Sequence, residues 1–340
     1  MMLAKVPRDR AEAARKKLFR RGLVRKDLRI FEEDGNVLLP LRAEPDPELQ
    51  RELGISIVDG QAQERTFYRS PQELAAEAAD IPEELKSLLP QRWEHIGDVI
   101  IIRVPEQLEP YAGEAAASYA KVLKAKAVIR EVGRIRGVYR TPEMEVLYGT
   151  DTETVHFENG IYYKLDAAKL MFSSGNIDEK LRMAALDCAG ETVVDMFAGI
   201  GYFTLPLAVH TGASKVIACE INPLAFRYLQ ENVRLNRVEK VVQLFHGDNR
   251  ELPGERIADR VIMGYVRTTG EHLEKAFDLV KPGGTIHYQD TFPLEVWPQM
   301  ALDNVARASK GRRYEVMLMK EVKSYSPGVS HMVLDIKVLD

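Results

Sequence analysis

Three acidic positions stand where a nucleotide-like ligand needs them. Asp195 closes the β-branched run Thr192-Val193-Val194 and opens the turn Asp195-Met-Phe-Ala-Gly-Ile-Gly201. Glu220 ends the run Val216-Ile-Ala-Cys-Glu220, 25 residues further on, and Gly247-Asp248-Asn249 follows a third apolar run. A carboxylate at a strand end can accept hydrogen bonds from both hydroxyls of the ribose of an adenosine. A short polar side chain after the next strand can meet the adenine amino group. Glycines such as Gly199 let the chain turn sharply and a ligand approach the backbone closely. The turn lacks the Lys-Ser/Thr ending of a phosphate-cradling loop and is not Gly-x-Gly-x-x-Gly. Taken singly, each feature has an ordinary reading: a plain strand-to-helix turn, or, for Asp248, a helix N-cap. The 25-residue spacing also suits a dinucleotide-binding dehydrogenase, which stays open at this level.

A second set lies upstream, in Lys169-Leu-Met-Phe-Ser-Ser-Gly-Asn-Ile-Asp-Glu-Lys-Leu-Arg182. Ser173 and Lys180, a hydroxyl and an ammonium, suit the carboxylate of a methionine-like tail. An ordinary loop and helix start is the alternative. After the fourth apolar run comes Met263-Gly264-Tyr265, with Arg267 just beyond. Tyr265 and Arg267 are candidates to border a second substrate.

The net charge of −4 argues against nucleic-acid binding, but its distribution argues for it. Residues 1–26 hold ten Lys/Arg against Asp9 and Glu12, and residues 121–140 hold seven against Glu131. Arg130, Arg134 and Arg136 are candidate phosphate contacts, with solvated charged faces as the alternative. The two cysteines, Cys188 and Cys219, sit in apolar contexts and read as reduced structural thiols of a cytoplasmic protein. The histidines are scattered singly, and no Cys/His cluster has metal-ligand spacing. No apolar run reaches the roughly 20 residues that span a bilayer.

The elements that must position these residues follow from periodicity. From about residue 166, strands at 192–196, 215–220, 241–246, 259–263 and 284–290 alternate with helices, which implies a parallel sheet covered on both faces. A final pair, 314–322 and 331–338, closes it as an antiparallel hairpin, for a seven-stranded Rossmann-like α/β domain over 166–340. Residues 93–165 read as a β-rich α+β middle domain, with Asn159-Gly160 as a hairpin turn. Residues 1–75 form a small α/β module around a basic helix, and 76–92 a linker.

With these elements in hand, the turn after Asp195 resembles motif I of the class I S-adenosylmethionine-dependent transferases. Further stretches carry a narrower likeness: Arg130-Glu-Val-Gly-Arg-Ile-Arg-Gly137, Met171-Phe-Ser-Ser-Gly-Asn176, and Val322-Lys-Ser-Tyr-Ser-Pro327 with His331 and Asp335. Together they resemble the tRNA guanine-N1 methyltransferases acting at position 37 and their relative, the wybutosine-pathway aminocarboxypropyltransferase. Two places choose between the branches. The methyltransferases carry Asn-Leu-Pro or similar after strand four, where this chain has Met263-Gly264-Tyr265. They have Phe-x-Pro-Arg where this chain has Phe172-Ser-Ser-Gly-Asn176. Both departures look like the archaeal aminocarboxypropyltransferase.

The resemblance implies transfer of the 3-amino-3-carboxypropyl group of S-adenosylmethionine to C7 of 4-demethylwyosine at position 37 of tRNA(Phe), releasing methylthioadenosine. It implies a monomer that reads the anticodon loop, with Ser173, Lys180, Glu220, Asp248 and Asn249 on the donor and Asp195 and Gly199 shaping its pocket. Methyl transfer to guanine N1 is the runner-up, and a non-catalytic RNA-binding protein a third reading.

Overall fold

A computed structural model describes residues 1–65, 69–133, 137 and 139–340. The chain divides into two compact units, Met1–Ser70 and Pro71–Asp340. In the first, strands β1 (Met2–Pro7), β2 (Phe31–Glu33), β3 (Asn36–Pro40) and β4 (Ser56–Asp59) form a sheet in the order β2-β3-β1-β4. Helices α1 (Ala11–Arg20) and α2 (Pro47–Leu53) pack on it through Leu18, Leu49 and Leu53. Asp46 caps α2 by accepting from Leu49 N at 2.8 Å, Pro47 begins the helix, and Gly54 ends it at φ 62°. Much of the basic charge expected here to be free is paired: Arg15 and Lys16 with Glu12, Lys17 with Glu52, Arg21 with Asp46, Arg25 with Asp27.

The second unit begins with α3 (Pro71–Ala78), followed by β5 (Trp93–Ile96), β6 (Val99–Ile102), α4 (Ala112–Leu123), β7 (Ala127–Glu131) and β8 (Met144–Tyr148). The strands form a sheet in sequence order. Residues 76–92, expected as a linker, contribute buried Ala79, Ile81 and Leu89 to a core shared with Tyr119 of α4. A separate hairpin follows, β9 (Glu153–Glu158) and β10 (Ile161–Asp166). Its turn residues, Asn159 and Gly160, both take positive φ, as an Asn-Gly turn demands.

The remaining elements are α5 (Ile177–Ala184), β11 (Thr192–Asp195), α6 (Thr204–His210), β12 (Lys215–Glu220), α7 (Pro223–Leu235), β13 (Val242–His246), β14 (Ala258–Met263), α8 (Leu273–Leu279), β15 (Val280–Pro293), α9 (Gln299–Ala308), β16 (Tyr314–Ser326) and β17 (Val329–Val338). Seven strands form one sheet in the order β13-β12-β11-β14-β15-β17-β16. The first five run parallel, and β17 pairs antiparallel with both β15 and β16, so it alone runs against the other six. Val193 and Val194, adjacent in β11, belong to the cores on opposite faces of the sheet, which is why that strand reads as a continuous apolar run. The strand order reverses direction at β11, so the crevice above its carboxyl end is the ligand position of an open α/β sheet. The outer strand β16 is irregular, with register shifts between Val316 and Leu318, Glu321 and Lys323, and Ser324 and Ser326.

Helix α7 ties the β9–β10 hairpin to this sheet with two amide side chains. Asn232 accepts from Lys164 N at 2.6 Å and donates to Lys164 O at 3.0 Å, while Asn236 does the same for Tyr162 at 2.9 and 2.7 Å. The helix thus satisfies the edge of β10 as a neighbouring strand would.

Candidate functional site

The glycine turn after β11 borders a cavity of about 620 Å³ at the carboxyl ends of β11, β12 and β14, a size typical of small-molecule sites. Gly199 and Gly201 take φ of 57° and 110°, and a Cβ on Gly199 would stand 2.8 Å from the Tyr202 ring. The turn is therefore closed to other residues by both conformation and space.

Asp195 does not face the cavity. Fully buried, it accepts from Phe197 N at 3.2 Å and from the Thr204 hydroxyl at 2.7 Å. It holds the turn and the start of α6 together from beneath, and burial raises its pKa to about 6. Glu220 lines the cavity. One of its oxygens accepts from Gly199 N and the other from Asn222 N, both at 2.7 Å. A carboxylate has lone pairs for about four hydrogen bonds, so Glu220 keeps capacity for a ligand diol while its orientation is fixed. Burial, with Asp195 adding to it, raises its pKa, and the two backbone donors oppose that. Asn222 supports this geometry as the N-cap of α7, accepting from Leu224 N at 2.9 Å and donating to Tyr139 O at 3.2 Å.

After β13, Asp248 accepts from Arg250 N at 2.9 Å and pairs with the Arg250 guanidinium at 2.5 Å, which holds its pKa below the usual carboxylate range. Asp248 is the N-cap of the short helical turn Asn249–Glu251 and also lines the cavity. Asn249 also lines the cavity, but its amide donates to Met196 O at 2.9 Å and its oxygen meets His272 Nδ1 at 2.8 Å. Its side chain orders the wall. Phe197 and Tyr265 stack at 5.1 Å between ring centres, and the Arg140 guanidinium sits 5.3 Å over Tyr265.

Other expected site residues stand elsewhere. Ser173 lines the cavity, but Lys180 does not. The helix face that carries Lys180 turns it behind Phe172, 4.8 Å from that ring, where it pairs with Glu158 of β9 at 2.5 Å. Burial lowers its pKa and Glu158 opposes this. Arg267 is exposed and not part of the lining; its backbone N donates to Asp290 at 2.6 Å and its Nε to the Tyr325 hydroxyl at 2.9 Å. Arg130 is held between Glu109 at 2.6 Å and Glu145 at 2.7 Å, so its guanidinium is already neutralised. Arg134 and Arg136 lie outside the described residues.

Sequence reasoning missed three cavity-lining groups. Arg140 is largely buried, its Nε has no hydrogen-bond partner among the described residues, and burial works against its charge. Asn176 sits at the N-cap position of α5 without capping it, and its buried Oδ1 is likewise unpartnered. His331 on β17 is 4% exposed with an unpartnered Nε2. Arg140 was visible only as one charge in a basic cluster, and His331 only as part of a family motif. Among the described residues no group of His, Cys, Asp and Glu has the arrangement of a metal site, and no helix is long and apolar enough to cross a membrane.

Comparison with known proteins bears on this arrangement. Profiles described as the TRM5/TYW2 methyltransferase domain, the TYW2 N-terminal domain and the tRNA methyltransferase 5 N-terminal domain match residues 154–317, 75–152 and 5–49. The tRNA(Phe) (4-demethylwyosine(37)-C(7)) aminocarboxypropyltransferase of Pyrococcus horikoshii is 49% identical over 76% of this chain and 93% of its own length. The chain belongs to the TRM5/TYW2 family. Within that family, tRNA (guanine(37)-N(1))-methyltransferase Trm5b of Pyrococcus abyssi is 34% identical over 99% of both chains. The crystal structure of P. horikoshii TYW2 in complex with MeSAdo matches with a TM-score of 0.72 at 45% identity, covering 79% of this chain and 98% of that one. The structure of Trm5b from P. abyssi covers both chains fully, with a TM-score of 0.74 at 33% identity. The TRM5/TYW2 assignment leaves the dehydrogenase reading without support.

Proposed function

We propose that this protein transfers the 3-amino-3-carboxypropyl group of S-adenosylmethionine to C7 of 4-demethylwyosine at position 37 of tRNA(Phe). One observation carries the choice of transferred group. Phe172–Asn176 and Gly264–Tyr265, which belong to the two segments that depart from the methyltransferase pattern, line one cavity beside the glycine turn, while Met263 is buried in the core beneath. The higher identity to aminocarboxypropyltransferases than to Trm5b supports the same choice.

Glu220 suits the ribose diol, and Asp248 the adenine amino group. The Ser173 hydroxyl and the Arg140 guanidinium suit the polar groups of the methionine tail and the target base, and Tyr265 offers an aromatic face for stacking. The donor, when bound, supplies a sulfonium whose adjacent carbons are electrophilic. What the chain contributes is orientation: the grip on the tail decides which carbon faces the nucleophile. The target base would be splayed out of the anticodon loop, as enzymes acting on bases require. We assign the first unit, with α1, a role in holding the tRNA, and the enzyme works as a monomer.

The test uses phenylalanine tRNA bearing 4-demethylwyosine and S-adenosylmethionine labelled in either the methyl or the carboxyl carbon. Incorporation of carboxyl label with release of methylthioadenosine is expected. Methyl label transferred to a parallel sample of tRNA(Phe) with unmodified guanine at position 37, with S-adenosylhomocysteine released, would instead establish the Trm5-type reaction that the full-length likeness to Trm5b favours.

A further inference from the structure

We infer that His331 is the catalytic base of the reaction, accepting on Nε2 the proton displaced from C7 of the target base. The inference rests on the function proposed above, because substitution at a ring carbon that bears hydrogen must release that hydrogen. In the step, a π electron pair of the ring forms the bond to the aminocarboxypropyl carbon. The carbon–sulfur bond breaks with its pair on sulfur, and methylthioadenosine leaves as a neutral thioether. The ring now carries the positive charge and still holds its hydrogen at C7. His331 takes that proton, the C–H pair returns to the ring, and the imidazolium later passes the proton to solvent.

The assignment follows from which cavity groups are free. Among the described lining residues, Glu220 has a backbone donor on each oxygen, and Asp248 is paired with Arg250. His272 is joined to Asn249, and Glu271 is exposed. Asp290, nearby but not in the lining, accepts from Arg267 N, Gly270 N and Thr291 N. His331 alone among these proton acceptors is buried with a ring nitrogen that no described residue engages.

The strand that carries it sharpens the contrast. Asp335, four residues along β17 and on the same face, is bound by Arg182 at 2.6 Å and His287 at 2.7 Å, and Gln289 and Glu179 complete that network. The face thus carries a carboxylate engaged on both oxygens at one end and an uncommitted imidazole at the cavity end. A buried polar atom with no partner costs on the order of 1–3 kcal/mol, which a structural role would not require.

The charges facing His331 are Lys323 of β16 and Arg140, both cationic; its partner on β15, Thr291, does not titrate. With burial they lower its pKa to about 4, which keeps the imidazole unprotonated and able to accept at neutral pH. A cationic ring carrying its proton on carbon is a far stronger acid than imidazolium, so a weak base is sufficient.

The test compares the full chain with His331→Asn and His331→Gln in single turnover on 4-demethylwyosine tRNA(Phe) with carboxyl-labelled donor. We expect the rate to fall about 100- to 1,000-fold, with donor affinity by calorimetry changed less than about threefold. His331→Ala should regain rate in proportion to added neutral imidazole, which a structural role would not produce. Deuterium at C7 should give a larger isotope effect in the variants than in the wild type. Nitrogen NMR of the ligand-free protein should show Nε2 as the unprotonated ring nitrogen at pH 7. A proton on Nε2, or variants that are folded by circular dichroism and react at the wild-type rate, overturns the assignment while leaving the proposed function standing. Transfer of methyl label by the wild type overturns both.

Discussion

At the β12–β13 end of the cavity, Glu220, Asp248 and Asn249 are each held by protein partners. At the other end, Arg140 Nε, Asn176 Oδ1 and His331 Nε2 have no partner among the described residues. That end is where the Ser173–Asn176 turn meets β16: a Cβ added to Gly175 would stand 2.9 Å from Lys323 Nζ. The first arrangement is preorganised, with acceptor geometry fixed by backbone N–H groups before any ligand arrives, so binding there orders little. The second leaves polar groups desolvated and unsatisfied, which destabilises the free protein and rewards a ligand that completes them. Substitutions at the committed end should therefore disturb the fold as well as binding. Those at the open end should affect chemistry and leave the fold intact.

The largest effect is expected from Glu220→Ala. It removes the proposed ribose acceptor and frees Gly199 N and Asn222 N together, so donor affinity by calorimetry should fall at least about 100-fold, on the order of 3 kcal/mol. Affinity for tRNA should stay within about twofold. Near-normal donor binding would show that the preorganised end is not the ribose site.

Next in size is a pair of opposed pH dependences. The pKa of His331 is lowered in the fold to about 4, so its contribution is fully present above its unfolded value of about 6.5 and is lost as pH falls toward 4. Asp195 has a pKa raised to about 6; its contribution is fully present below about 4 and is lost as pH rises to 6. Each amounts to about 3 kcal/mol, and in the wild type they largely cancel between pH 4 and 6. Relative to wild type, urea unfolding of His331→Asn should show stability falling more steeply with rising pH over that window. Asp195→Asn should show the reverse. Parallel curves for all three proteins would contradict both assignments.

Asn249→Ala should cost about 1–3 kcal/mol of stability by leaving Met196 O and His272 Nδ1 unpaired, read as a lower urea midpoint with unchanged slope. Smallest in stability is Arg140→Met: within about 0.5 kcal/mol of wild type, yet with turnover on tRNA clearly reduced. A large loss of stability from Arg140→Met would erase the distinction between the two ends.

The committed end was legible in the sequence because Glu220, Asp248 and Asn249 each end or follow a recognisable strand. Glu220 and Asp248 also bind backbone groups two residues on, whereas the contacts of Glu220 with Gly199 and of Asn249 with Met196 form only once the parallel strands lie side by side. The parallel sheet and its closing antiparallel hairpin likewise followed from alternation, whereas the order of the seven strands, with β17 inserted between β15 and β16, did not. What escaped depends on contacts between distant segments. Lys180 turns away because the β9–β10 hairpin brings Glu158 to it, and Arg130 is neutralised by Glu109 and Glu145, which approach only in the folded sheet. The open end escaped for another reason. An unpartnered atom is a property of what does not surround it, and His331, Asn176 and Arg140 look ordinary until the wall around them is complete.

The irregular outer strand of the seven-stranded sheet carries a consequence for how the protein behaves in company. An unpaired edge is a template on which another chain can add a strand. Here three register shifts break the row of free backbone groups on β16, and Lys320, Glu321 and Lys323 add charge to it. Met317 and Met319, 64% and 48% exposed, are thereby left on a surface that a second sheet cannot follow in register. The bulges interrupt a 13-residue edge strand that would otherwise offer a continuous row of pairing groups. Straightening them would turn β16 into an adhesive rim.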